Sequence, residues 1–146
     1  MLPGRFKRLV GEMEQIKFEI EKKKLNNIEI LHMEEFKSVI FLCSGPLDSP
    51  YEGYWFRVKL EWSFDYPFRP PKCTFLDKIW NPYVDFESGK ICMDILHHNF
   101  SPALTTFHII ISLISLLSEN KISESNDGFL NPTAAIEMLK NRPYFD

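Results

Sequence analysis

The chain has few cysteines: Cys43, Cys73 and Cys92 are the three in 146 residues. They are odd in number, far apart and form no C-x-x-C pair, which argues against a disulfide framework and against a zinc site. No metal and no other cofactor is expected. The chain also lacks a positive excess. Its 17 Lys and Arg against 20 Asp and Glu give a net charge of −3, with a pI near 5.8. No general electrostatic reason remains for binding nucleic acid or an anionic membrane. A long hydrophobic run is missing too. The longest, FHIIISLISLL from Phe107 to Leu117, is interrupted by two serines and a histidine and falls short of the roughly 20 residues of a membrane span. It reads as a core helix. The start, MLPGRFKRLV, carries charges with no apolar segment or small-residue cleavage site behind them, so no secretory signal is expected.

What is present is the composition of a globular domain, 45% hydrophobic and 25% charged, and residues 1–146 are read as one domain. From Arg5 onward, Phe6, Leu9, Val10, Met13, Ile16 and Ile20 recur at three- and four-residue steps, the stripe of an amphipathic helix. Lys7 and Arg8 project from that stripe and Arg5 sits near its edge, which makes the helix start basic and exposed. Three strands are expected at Ile28 to Met33, Lys37 to Cys43 and Tyr54 to Trp62. In the third, Phe56, Val58, Leu60 and Trp62 alternate with Arg57, Lys59 and Glu61. The turn-rich SGPLDSPYEG separates the second from the third, and DYPFRPPKCTFL ends the third before a short fourth. Four sequential strands with short connections predict an antiparallel meander.

Residues 77 to 104 have no sustained period and read as a long ordered loop, the kind of segment that carries function. Thr105 or Thr106 caps a helix that is apolar on nearly every side and so is expected to run through the core. A last helix is expected around Pro132 to Leu139, with Asn131 as its N-cap. The architecture is thus α+β: N-terminal helix, four-stranded antiparallel meander, long loop, central buried helix and C-terminal helix.

Within the long loop lies NPYVDFESGKICMDIL, which raises the question of Cys92. Cys43 and Cys73 sit in apolar, strand-like runs and are expected to be buried packing residues. Cys92 sits in a polar loop, and packing, metal ligation and nucleophilic attack are all open to it. His97 and His98 lie close by and invite a Cys-His protease reading. Adjacent side chains rarely face one target, however, so both are read as surface loop residues.

Several stretches in order resemble the ubiquitin-conjugating enzyme family, over about residues 5 to 140. SGPLDSPYEG looks like the family's Gly-Pro, Ser-Pro-Tyr, Gly hairpin, and DYPFRPPK looks like its Tyr-Pro-x-x-Pro-Pro-Lys loop. GKICMDIL resembles the active-site segment, and FSPAL resembles the Ser-Pro-Ala-Leu turn before the central helix. The resemblance implies that Cys92 receives ubiquitin, or a ubiquitin-like modifier, from an activating enzyme as a thioester. The modifier then passes to a substrate lysine, usually with a ligase. A thiol suits this role without a dedicated base, because a small thiolate fraction suffices for exchange with another thioester. The lysine must first lose a proton.

The resemblance also implies site residues. Phe68 and the turn Ser101, Pro102, Ala103 match the loops that meet ligases, although Phe68 could equally cap the sheet end. Arg5, Lys7 and Arg8 match the basic helix start used toward the activating enzyme, with an uninvolved solvated face as the alternative. Asp127, in a loop longer than usual, lies near an acidic position that faces the cysteine. Family members usually carry His-Pro-Asn before the cysteine, with the asparagine proposed to stabilise the oxyanion or order its loop. Here the triplet is Asn81, Pro82, Tyr83, and the spacer to Cys92 is one residue longer, so the asparagine does not carry over. Loss of an oxyanion donor costs about 10² to 10³ in rate. Three readings stand side by side: Tyr83 offers its hydroxyl, Asn81 swings into the role, or discharge is slow or goes to a non-lysine acceptor. Tyr83 as a simple aromatic anchor stands beside them. VDFESGKIC is similar to the peroxisomal branch, and FLNPTAAIEMLKN to the branch that carries the cullin-modifying protein. The expected location is cytoplasmic, with the nucleus or the peroxisome surface as alternatives. An inactive binding scaffold of the same fold is the competing function. The chain ends at Asp146 without the further helix many members carry.

Overall fold

A computed structural model describes residues 3–118. Helix α1 spans Pro3–Lys22, followed by strands β1 (Ile28–Glu34), β2 (Ser38–Ser44), β3 (Trp55–Glu61) and β4 (Lys72–Phe75). After a single 3-10 turn at Asp94–Leu96, helix α2 runs over Thr106–Ser118. The strands pair in chain order, each antiparallel to the next. The predicted meander is therefore present, with boundaries moved by a residue or so. Asp127 and the helix expected around Pro132 to Leu139 lie outside the described residues.

Alternation decides the sheet. Phe56, Val58 and Leu60 of β3 are buried, together with Val39, Phe41 and Cys43 of β2 opposite them, while Arg57 is exposed. Each large apolar side chain buried in this way contributes about 1.5 to 3 kcal/mol. Ile109, Ile110, Leu113 and Leu117 of α2 and Leu9 and Ile16 of α1 belong to the same core. Between β2 and β3 the hairpin turns tightly at Gly45, where a Cβ would lie 2.4 Å from the Tyr51 carbonyl carbon. Only glycine fits there.

The helices depart from the sequence expectation in an instructive way. Phe6 and Val10, predicted on the buried stripe, are 39% and 45% exposed, while Arg5 and Glu12 are 5% and 4% exposed. The buried face of α1 is thus rotated toward polar residues that have partners. Arg5 Nη2 donates to the carbonyls of Ser63 and Phe36. The expected exposure of Arg5 is corrected accordingly: its guanidinium is used to hold the ends of the β1–β2 and β3–β4 connections. Phe6 packs edge-on against Phe36 instead of entering the core.

Glu12 is the centre of a buried polar network. Its carboxylate accepts the Tyr66 hydroxyl at 2.6 Å, the Thr106 hydroxyl at 2.9 Å, the Thr106 N–H and Arg8 Nε at 2.8 Å. The Thr106 hydroxyl in turn accepts Trp62 Nε1 at 2.9 Å. A carboxylate at the first residue of α2 satisfies an orphan helix donor and sits favourably in the helix dipole. Burial first, then the bond to Glu12, pushes the Tyr66 phenol well above its ordinary value, so it remains a neutral donor. Helix α2 is less enclosed than predicted, since His108, Ile111, Ser115 and Ser118 are exposed along one edge.

Candidate functional site

The site is built by the loop before Cys92. The Asn81 side chain accepts the N–H of Tyr83 at 2.8 Å, and the Asn81 carbonyl accepts the N–H of Val84 at 3.2 Å. Pro82 sits between them at the position where its fixed φ suits a turn. Asn81 Nδ2 donates to the Tyr51 hydroxyl at 3.1 Å, and that hydroxyl donates to the Trp80 carbonyl. Burial raises the Tyr51 phenol to about 12. Asn81 is 1% exposed, with both ends of its carboxamide engaged. The reading in which it swings toward an oxyanion would break both bonds and orphan buried groups, at about 1 to 3 kcal/mol for each. The geometry makes Asn81 the post on which the loop is folded.

The loop then closes on itself. Val84 pairs with Ile91 as an isolated bridge, and Asp85 N–H donates to the Lys90 carbonyl at 2.9 Å. Asp85 accepts both the amide and the hydroxyl of Ser88, which hold its carboxyl below the usual range, with Lys78 and Lys90 adding to the effect. Gly89 adopts φ 77°, and a Cβ there would stand 2.0 Å from the Phe75 carbonyl oxygen. Its own carbonyl accepts Phe75 N–H at 2.9 Å. The glycine three residues before the cysteine is thus what lets the loop lie against β4.

Cys92 is held by its backbone N–H to the Tyr83 carbonyl at 2.8 Å, and it is half-buried where Cys43 and Cys73 are buried. Burial raises the Cys43 thiol to about 12 and the Cys73 thiol further still, which suits their expected packing role. Cys92 opens into a cleft of about 480 Å³ whose walls include Tyr83, Asp94, His97, His98 and Leu116 of α2. Tyr83, Met93, Asp94 and Leu116 also line an adjoining space of about 240 Å³ that reaches Ser112 and Ser115. The two form one groove from the thiol to the exposed edge of α2. Tyr83 lines both spaces and shares the first with Cys92.

His97 and His98 are exposed as expected, yet both line the cleft. Sequence reasoning missed this convergence, and the signal for it was tertiary: the 3-10 turn after Cys92 reverses the chain. Among the described residues no group of His, Cys, Asp and Glu is arranged to hold a metal ion.

The other candidates gather at the α1 end. Phe68 is 68% exposed, so it does not cap the sheet. Ser101, Pro102 and Ala103 are exposed, as is Lys7. Arg8 is half-buried and donates to the carbonyls of Pro102 and Leu104. Tyr66, two residues before Phe68, is anchored on Glu12, so α1 fixes both loops.

Comparison with known proteins agrees with this geometry. A family model described as ubiquitin-conjugating enzyme matches residues 8–146. The chain is 38% identical over 101 residues to ubiquitin-conjugating enzyme E2 27 of Arabidopsis thaliana, covering 69% of this chain and 50% of that protein. It is 46% identical over 84 residues to ubiquitin-conjugating enzyme E2 1 of Schizosaccharomyces pombe, covering 58% and 39%. The chain thus spans half or less of the length of these relatives. A solved Toxoplasma gondii ubiquitin conjugating enzyme E2 domain superposes with a TM-score of 0.69 at 29% identity, over 92% of this chain and 90% of that one. The ubiquitin conjugating enzyme E2 UbcA1 from Agrocybe aegerita, at 23% identity, TM-score 0.66 and coverage of 77% and 84%, shares the fold.

Proposed function

The chain belongs to the ubiquitin-conjugating enzyme family, and from that premise we propose that Cys92 accepts ubiquitin, or a related modifier, from an activating enzyme as a thioester. Its thiolate attacks the carbonyl carbon of the incoming thioester, and the activating enzyme's thiolate leaves. The modifier then passes to a lysine of a protein substrate, with a ligase assisting. The observation that carries this reading is the placement of the thiols: of the three, Cys92 alone is not buried, and it opens into the cleft on a backbone held at Tyr83 and Gly89. A fixed thiol beside an open groove supplies the proximity that acyl transfer needs. The exposed Phe68 and the Ser101 to Ala103 turn are the proposed ligase contacts. For the activating enzyme the proposal narrows to Lys7, with Arg8 shared and Arg5 buried. A thioester route also needs a reduced thiol, which fits a cytoplasmic location.

A second reading, a scaffold that binds modifier or ligase with little turnover, is favoured by Tyr83 standing where the resemblance places an asparagine. One assay separates the two. Incubation with activating enzyme, ATP and ubiquitin or a related modifier should give a thiol-sensitive adduct that disappears in Cys92→Ala. If no modifier forms one, the enzyme reading fails. Discharge of the adduct to free lysine is then compared with Tyr83→Asn: faster discharge marks Tyr83 as a handicap, and collapse gives it a role.

A further inference from the structure

The cleft at Cys92 holds two groups that thioester formation does not need. Adjacent side chains in extended chain point to opposite sides, so the presence of both His97 and His98 in the lining of one cleft needs a cause. The turn after Cys92 supplies it. The Asp94 carbonyl accepts the N–H groups of both His97 and Asn99 at 3.0 Å, and the Asp94 carboxylate accepts Asn99 Nδ2 at 2.9 Å. Leu96, 7% exposed, pins the turn to the core. His97 leaves it at φ −134° and ψ −117°, off the extended values. The chain therefore reverses within a few residues of Cys92 and presents two imidazoles on a braced loop.

We propose that His97 and His98 accept the proton that the attacking amine must lose when it takes the modifier from Cys92. The proposal rests on the thioester reading above and adds the base for its second step. The amine nitrogen attacks the thioester carbonyl carbon and a C–N bond forms. The C–S bond then breaks, with its electron pair leaving on Cys92 Sγ. The nitrogen's proton passes to an imidazole nitrogen and from there to the thiolate or to water, so charge and atoms balance with no further reactant. Imidazole is the side chain that changes protonation near neutral pH, and a positioned general base contributes about 10² to 10⁴ in rate.

Among the described residues the titratable groups around the pair are few. Asp94, Tyr83 and Cys92 share the cleft with both histidines. His97 also lines a neighbouring cavity of about 470 Å³, where Lys72, Cys73 and Lys90 face it. From α2 the groove receives Leu116, Ser112 and Ser115, so among the described residues that helix brings no charge to it.

The test is a single-turnover chase. Wild type, His97→Gln, His98→Gln and the double variant are each brought to the same loaded fraction, activation is stopped, and free lysine is added between pH 5.5 and 9. The double variant should discharge about 100-fold more slowly than wild type at pH 7. The pH profile of wild type should differ in shape from that of the double variant, which should keep only the steady rise from amine deprotonation. Added imidazole should restore part of the lost rate. Discharge within threefold of wild type, or a lower rate with an unchanged pH profile and no rescue, overturns the proposal and leaves the thioester reading intact. Absence of any adduct in wild type overturns both.

Discussion

Replacing Glu12 by alanine is the sharpest perturbation of the fold. Glu12 is 4% exposed and serves four donors: the Tyr66 hydroxyl, the Thr106 N–H and hydroxyl, and Arg8 Nε. In Glu12→Ala, Arg8 keeps the carbonyls of Pro102 and Leu104, and the Thr106 hydroxyl keeps Trp62. The Tyr66 hydroxyl and the Thr106 N–H are left buried without an acceptor, at about 1 to 3 kcal/mol each. The sum, about 2 to 6 kcal/mol, is centred on the 3 to 5 kcal/mol found when one partner of a buried ion pair is removed. At a slope of ~2 kcal/mol/M the urea midpoint falls by about 2 M with the slope unchanged. Glu12→Gln keeps one carboxamide oxygen for Thr106, and its amide can meet the Tyr66 hydroxyl, so it should cost only about 1 to 2 kcal/mol. A cost below 1 kcal/mol for the alanine variant would refute the reasoning, because it would mean that water or a rearranged donor replaces the carboxylate.

Three further outcomes follow from the same geometry. Gly89→Ala meets both a positive φ and a 2.0 Å approach to the Phe75 carbonyl oxygen; it should cost about 2 kcal/mol or more by the usual scale for such strain, read as a lowered melting temperature, and loading at Cys92 should fall with it. Asp77 is held below its ordinary value of 3.8 by Arg57, so its contribution is complete above that value and is lost as pH falls through the lower value of the folded chain; Asp77→Asn should narrow the stability gap between pH 6 and pH 3 in urea titrations, and an unchanged gap would count against the pair. In the native protein iodoacetamide should label Cys92 well before Cys43 and Cys73, since burial raises both of those thiols; mass spectrometry showing equal labelling would contradict the assigned burial.

The sheet and the site were legible to different degrees. The alternation in β3 determined its buried face because a strand has only two faces. The turn formers around Gly45 and the prolines after Trp62 marked where strands end. In α1 the apolar period pointed to Phe6 and Val10, and the structure buried Arg5 and Glu12. A helix stripe is wide enough for its centre to be moved by polar residues that find partners, and those partners lie 31 to 94 positions away by residue number. No local pattern carries such information.

Composition, spacing and motif order by themselves determined the fold class, pointed to the family and distinguished Cys92 from the two buried thiols, because each rests on residues close together in the chain. Tertiary structure alone decided that Asn81 is a buried loop post, that Arg5 faces inward, and that His97 and His98 meet Cys92 in one cleft. These depend on which distant groups satisfy one another after folding, and on a turn whose direction follows from Asp94 and Leu96 together. Sequence supplies the donors and acceptors, but only the packed chain determines which of them pair.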